Sequence, residues 1–117
     1  MVVPLDASLP GKLILAPLTR GGNLPFRRLC VELGEEATMG EMIFARHLLK
    51  GDRHKRARLR RAANEKLFGV QIATNNIAEG VSAAHAAAEA GAQWVDLNCG
   101  APWAHTTSSL LNATSPA

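Results

Sequence analysis

The chain alternates short apolar runs with stretches of helical period. Leu13-Ile14-Leu15-Ala16 is apolar at every position and stopped by Pro17, as expected for a strand buried on both faces of a parallel sheet. Pro17 to Thr19 turns, Arg20 to Asn23 is a loop, and Asn23 is placed to cap a helix starting at Leu24, with Pro25 tolerated in its first turn. Phe26, Leu29, Cys30 and Leu33 recur at helical spacing and form one apolar face, and Gly34 ends the helix. Ala37-Thr38-Met39 is a shorter second strand, leading through Gly40 to Glu41 and Met42, and a helical stretch is predicted over roughly Ile43 to Leu49.

Asp52 can cap a further helix over Arg53 to Asn64, whose few apolar positions (Ala57, Leu59 and Ala62) predict a helix that faces water and packs slightly. Leu67 to Ile72 is the third strand. Asn75 or Asn76 caps an Ala-rich helix over Ile77 to Ala90, closed by Gly91, and Trp94 to Leu97 is the fourth strand. That strand runs into Asn98-Cys99-Gly100-Ala101-Pro102, where Gly and Pro force a sharp turn.

Strands alternating with helices define an α/β class, with about four βα units and parallel strands adjacent in chain order. Residues 1–11 read as a loose lead-in, 12–104 as the array, and the Ser/Thr/Asn-rich 105–117 as a disordered tail without strand period. Pro17, Glu41, Gln71 and Asn98 all fall near strand C-terminal ends and should cluster, in the region where α/β folds build their sites. Gln71 is a polar residue in an otherwise buried run; its amide needs partners, which the backbone or a ligand could provide.

Composition narrows the class further. With 117 residues and 47% apolar content the chain has the size of one small domain, and its mean hydropathy is near zero. No apolar run approaches the roughly 18 residues of a membrane span, and the first ten residues lack a signal-peptide pattern, so an intracellular location, cytoplasmic or nuclear, is expected. Cys30 and Cys99 are too few for a disulfide framework, and no spacing suggests a metal site. The net charge is only +3, but Arg53, Lys55, Arg56, Arg58, Arg60 and Arg61 lie within nine residues. Such a run is either a solvated face or a contact for phosphates.

Five pieces in order carry a family resemblance: Ala16-Pro17-Leu18-Thr19, Asn23-Leu24-Pro25-Phe26-Arg27-Arg28-Leu29-Cys30, Gly40-Glu41-Met42, Phe68-Gly69-Val70-Gln71 and Asp96-Leu97-Asn98-Cys99-Gly100. Across most of Leu13 to Pro102 the chain resembles the N-terminal part of a tRNA-dihydrouridine synthase, of the eukaryotic-type dihydrouridine synthase 3 group. The resemblance implies part of a (β/α)8 TIM barrel that binds FMN and reduces the 5,6 double bond of uridines in tRNA, with NADPH as reductant. It implies that the backbone of Pro17, Leu18 and Thr19 borders the flavin ring, that Gln71 hydrogen-bonds it, and that Asn98 lies near the ring and the flipped uracil. It also implies a Cys general acid that protonates C5.

Two departures bear on that chemistry. The family motif is N-x-G-C-P, whereas this sequence has Ala101 at the catalytic position, and Cys99, the possible substitute, lies two residues earlier. The Gly-rich continuation is replaced by His105 to Asn112. A full barrel takes about 250 residues, so the expectation is a half-barrel of impaired activity that self-associates through uncovered surfaces. The alternative is a non-catalytic remnant that binds RNA through its basic segment or assembles with another half-barrel.

Overall fold

A computed structural model describes residues 9–100. The elements are β1 (Ile14–Leu15), α1 (Leu24–Glu32), β2 (Ala37–Met39), β3 (Ile43–Phe44), α2 (Ala45–Leu49), α3 (Arg53–Ala57), β4 (Leu67–Ala73), α4 (Ile77–Glu89) and β5 (Trp94–Leu97). All strand pairings are parallel. β1 pairs with β2, β2 with the first half of β4, β3 with the last two residues of β4, and β5 with β4. The order expected from the sequence holds, with β3 added to it.

β4 is the centre of the sheet because its alternation suits two different environments. Phe68, Val70 and Ile72 are fully buried and join Ile43, Leu48, Leu59, Ala83 and Ala87 in the core between sheet and helices. Gly69 and Gln71 alternate onto the opposite face. There a Cβ on Gly69 would overlap the Trp94 ring, its partner in the ladder, so glycine is what lets β4 and β5 lie side by side at this point. α4 packs closely through Ala83 and Ala87, four residues apart on one face, and Asn76 caps it by accepting from the Glu79 N–H.

β2 and β3 are two parts of one strand interrupted by a bulge. Met39 is level with Gly69 and Ile43 with Ile72, so the chain takes four steps on one side of the ladder for three on the other. The extra residue falls within Gly40-Glu41-Met42 and reverses the side-chain alternation, so Met39 faces away from the helices while Ile43 enters the core beneath them.

Four expectations need correction. Ile43 and Phe44 are a strand, not the start of a helix, because their backbone is drawn into the ladder with β4. α3 stops at Ala57 rather than Asn64: the Glu65 carboxylate accepts from the Ala62 N–H and the Arg60 carbonyl accepts from Arg27, contacts that replace continued helix. Packing there is not slight, since Leu59, Ala62 and Glu65 are buried. In α1 the apolar face is largely exposed, with Leu33 at 80%, and the buried residue is Arg27. β1 is an edge strand, and Leu13 and Ile14 are exposed rather than covered on both sides.

Asn23 does cap α1, accepting from the Phe26 N–H. The expected boundaries at residues 1–8, the tail at 105–117 and the position of Ala101 lie outside the described residues.

Candidate active site at the strand ends

The last residues of β4 and β5 and the bulge before β3 meet on the sheet face opposite the helices. Gln71 is level with Asp96 in the ladder, which puts their side chains on the same face of adjacent strands. Gln71 Nε2 donates to Asp96 Oδ2 at 2.8 Å, and Asn98 Nδ2 donates to Gln71 Oε1 at 3.3 Å. Asn98 Nδ2 also lies 3.3 Å from Met42 Sδ, and Asn98 Oδ1 accepts from the Gly100 N–H at 3.1 Å, closing an Asx turn around Cys99. Gln71, Asp96 and Asn98 are all half-buried.

The remaining strand ends approach from the β1 side. In the loop after β1 the Leu18 carbonyl accepts from the N–H groups of both Gly21 and Gly22, making a tight turn. A Cβ on Gly22 would sit 3.0 Å from Leu18 O and 3.5 Å from Glu41 Cγ, so the loop rests directly on the bulge. Glu41 in turn pairs with Arg58 at 2.8 Å, and Arg58 Nη1 donates to the Met42 carbonyl at 2.6 Å. A continuous run of contacts therefore joins Leu18, Gly22, Glu41, Met42, Asn98 and Gln71.

Gln71 and Asn98 are thus in direct contact, as clustering of strand ends requires, while Pro17, Leu18 and Thr19 reach them only through the bulge. Leu18 and Thr19 are exposed and Pro17 half-buried. Cys99 is exposed at the tip of the turn. Asp96 carries no signal of its own in the sequence; its signal is its place level with Gln71, which needs the strand register to be seen.

The basic run is not one face. Arg53, Arg56, Arg60 and Arg61 are exposed and Lys55 half-buried, but Arg58 is turned inward onto Glu41. Asp52 starts the run as the N-cap of α3, and its carboxyl is held below its ordinary range chiefly by the hydrogen bond from the Lys55 N–H, which works against desolvation and is assisted by the weaker effect of the His54 N–H.

The donor set fits a flavin ring. Gln71 spends one N–H on Asp96 and one lone pair on Asn98, which leaves an N–H and a lone pair for the alternating acceptors and donors of a ring edge. A parallel βα array with its polar groups gathered at the strand ends is the class to which barrel enzymes belong.

Comparison with known proteins gives the family. The family described as Dihydrouridine synthase (Dus) matches residues 14–114, and the chain belongs to it. It is 47% identical over 95 residues to a tRNA-dihydrouridine(47) synthase (NAD(P)+) of Coprinopsis cinerea, a match covering 79% of this chain and 14% of that protein. A tRNA-dihydrouridine(47) synthase-like protein of Oryza sativa subsp. japonica is 46% identical over 94 residues, covering 78% and 13% respectively. Its human counterpart is 52% identical over 62 residues, covering 53% and 10%. The chain spans no more than 14% of the length of these relatives. No solved structure matches it.

Proposed function

We propose that the chain forms the N-terminal strand-end platform of a flavin-dependent tRNA-dihydrouridine synthase, with FMN as its flavin, NADPH as reductant and uridine in tRNA as substrate. The observation that carries this reading is the Gln71–Asn98 amide pair, half-buried at the C-terminal ends of adjacent parallel strands in a member of the dihydrouridine synthase family. When bound, the flavin supplies the hydride that reduces the uracil C5=C6 bond. The residues of this chain bind and orient. The uncommitted N–H and lone pair of Gln71 hold the ring edge, and the backbone of Pro17, Leu18 and Thr19 borders it. Asn98 stands beside the place a uracil occupies once it has left its stack.

The proton for C5 is where this sequence falls short. Ala101 has no proton to give, and Cys99, fixed at the tip of the turn that Asn98 closes, is the one thiol near the strand end. A positioned general acid is worth about 10² to 10⁴ in rate, so the proposal includes an impaired 117-residue chain. The test is dihydrouridine formation on unmodified tRNA with FMN and NADPH. Three proteins are compared: the chain itself, Ala101→Cys, and Ala101→Cys continued by the C-terminal part of a full-length relative. Turnover is expected from the third alone. Robust turnover by the unaltered chain would move the proton donor to Cys99, and a third protein that binds no FMN would defeat the flavin reading.

A second reading, a non-catalytic RNA contact, is favoured by the exposure of Arg53, Arg56, Arg60 and Arg61 on one segment. Binding of tRNA should then weaken steeply with added salt and be largely lost in an Arg56→Glu, Arg60→Glu double variant. Lys55 contributes at the margin, and Arg58 is held by Glu41. Binding indifferent to both treatments rejects the segment as the contact.

A further inference from the structure

We infer that Asp96 is a positioning residue: it fixes which way round the side-chain amide of Gln71 stands and, through Asn98, braces the turn that carries Cys99. An amide is nearly symmetrical in shape, so its oxygen and nitrogen are told apart only by what they face. Asp96 settles this for Gln71, because an ionised carboxylate can only accept. With Gln71 turned over, its oxygen would lie against Asp96 Oδ2 at hydrogen-bond distance, with repulsion in place of attraction.

The remaining polarity follows. Gln71 Oε1 is left facing Asn98 and takes the Nδ2–H of that residue. Asn98 Oδ1 is then directed to the Gly100 N–H. Gly100, Asn98 and Gln71 each donate in turn toward Asp96, and the chain of bonds ends on a charge. Both ends are invariant in sense, since a backbone N–H can only donate and the carboxylate can only accept. A hydrogen bond to a charged acceptor is about twice as strong as one between neutral groups, and successive bonds of the same sense polarise one another.

The arrangement spans three elements. Gln71 belongs to β4, Asp96 to β5 and Gly100 to the turn beyond it. The ladder sets the backbones level, but it leaves the amide of Gln71 free to rotate about its own side chain. Asp96 removes that freedom. The donor and acceptor that Gln71 has left over are thereby presented in one order rather than two, and a ligand edge that must match them meets a prepared partner. The use of that order rests on the flavin reading above, whereas the orientation is a property of the chain by itself.

The experiment is nuclear magnetic resonance on the isotopically labelled 117-residue chain, with Asp96→Asn and Asp96→Leu. In the unaltered chain the two Nε2 protons of Gln71 should be widely separated, one bonded to a carboxylate and one not. Asp96→Leu should collapse that separation and speed hydrogen exchange at the Gly100 N–H at least about tenfold. Asp96→Asn keeps an acceptor without the charge, so it should narrow the separation and raise that exchange only about threefold. The order of the two variants separates positioning from general destabilisation, which would speed exchange at the core of β4 as well. Should Asp96→Leu not fold, Asp96→Asn decides. Unchanged Gln71 protons and unchanged Gly100 exchange in the folded variant overturn the inference. FMN titration of the same proteins is read separately: failure of the unaltered chain to bind FMN bears on the flavin reading and leaves the resonance result to stand alone.

Discussion

Two polar clusters occupy opposite faces of this sheet, and they differ in whether anything is left over. On the helix side Arg27 is 2% exposed and Glu65 1%, joined at 2.7 Å. Arg27 gives its other nitrogens to the carbonyls of Gly22 and Arg60 and lies 4.9 Å over the Phe68 ring. Glu65 accepts from Thr38 and from the Ala62 N–H. Each guanidinium nitrogen of Arg27 and each carboxylate oxygen of Glu65 has a partner within the protein. On the other face Gln71, Asp96 and Asn98 are half-buried, and Gln71 keeps an N–H and a lone pair. The closed cluster ties the β1–α1 loop, β2 and the segment after α3 together; the open one is where a ligand can be recognised.

The largest effect should come from opening the closed cluster. Removing one partner of a buried pair leaves an uncompensated charge, so Glu65→Ala should cost about 3–5 kcal/mol in urea unfolding, while an Arg27→Met, Glu65→Leu double variant should recover much of it. A single-variant loss below about 1 kcal/mol would break the comparison. Next comes Gly69→Ala, which tests whether the site face is packed at its lower end: the new methyl meets the Trp94 ring, and a loss of about 1–3 kcal/mol is expected. Third, Gln71→Ala should cost less than about 1 kcal/mol in the same unfolding measurement, while weakening FMN binding in a protein that holds the flavin about tenfold or more. A large stability loss there would make the open cluster structural too.

The smallest effect lies outside both clusters. The Asp52 carboxyl titrates below its ordinary value of 3.8 in the folded chain. The sign is that of a depressed acid: its cap on α3 is complete above the unfolded value and is lost as pH falls through the lower folded one. The Lys55 amide resonance should follow that loss on acidification, and an unmoved resonance would remove Asp52 as the cap.

Four of the described strands, β1, β2, β4 and β5, were legible because apolar runs bounded by Gly and Pro admit few alternatives, whereas the two-residue β3 was not; the cap Asn23 was legible too, and the structure chooses Asn76 over Asn75 for the other. What was hidden depended on distant partners. Arg58 to Glu65 has helix-forming residues, yet Arg27, more than thirty positions away, takes the Arg60 carbonyl, and the local preference yields. Arg27 itself is legible only as part of a motif, since nothing local announces that an arginine will be buried. In the site, Gln71 and Asn98 stood out as amides at strand ends, but Asp96 gained meaning only with the β4–β5 register.

The extra residue between Met39 and Ile43 acts on side chains as a frameshift acts on codons. Ahead of it odd-numbered positions of the strand face the site side; beyond it Ile43, also odd, faces the helices. Deleting any one of Gly40, Glu41 or Met42 would therefore not shorten a loop. It would make the two sides equal at three steps each, so plain alternation would keep Ile43 level with Ile72 while the bulge itself, on which the Gly22 loop rests and from which Met42 meets Asn98, would be erased.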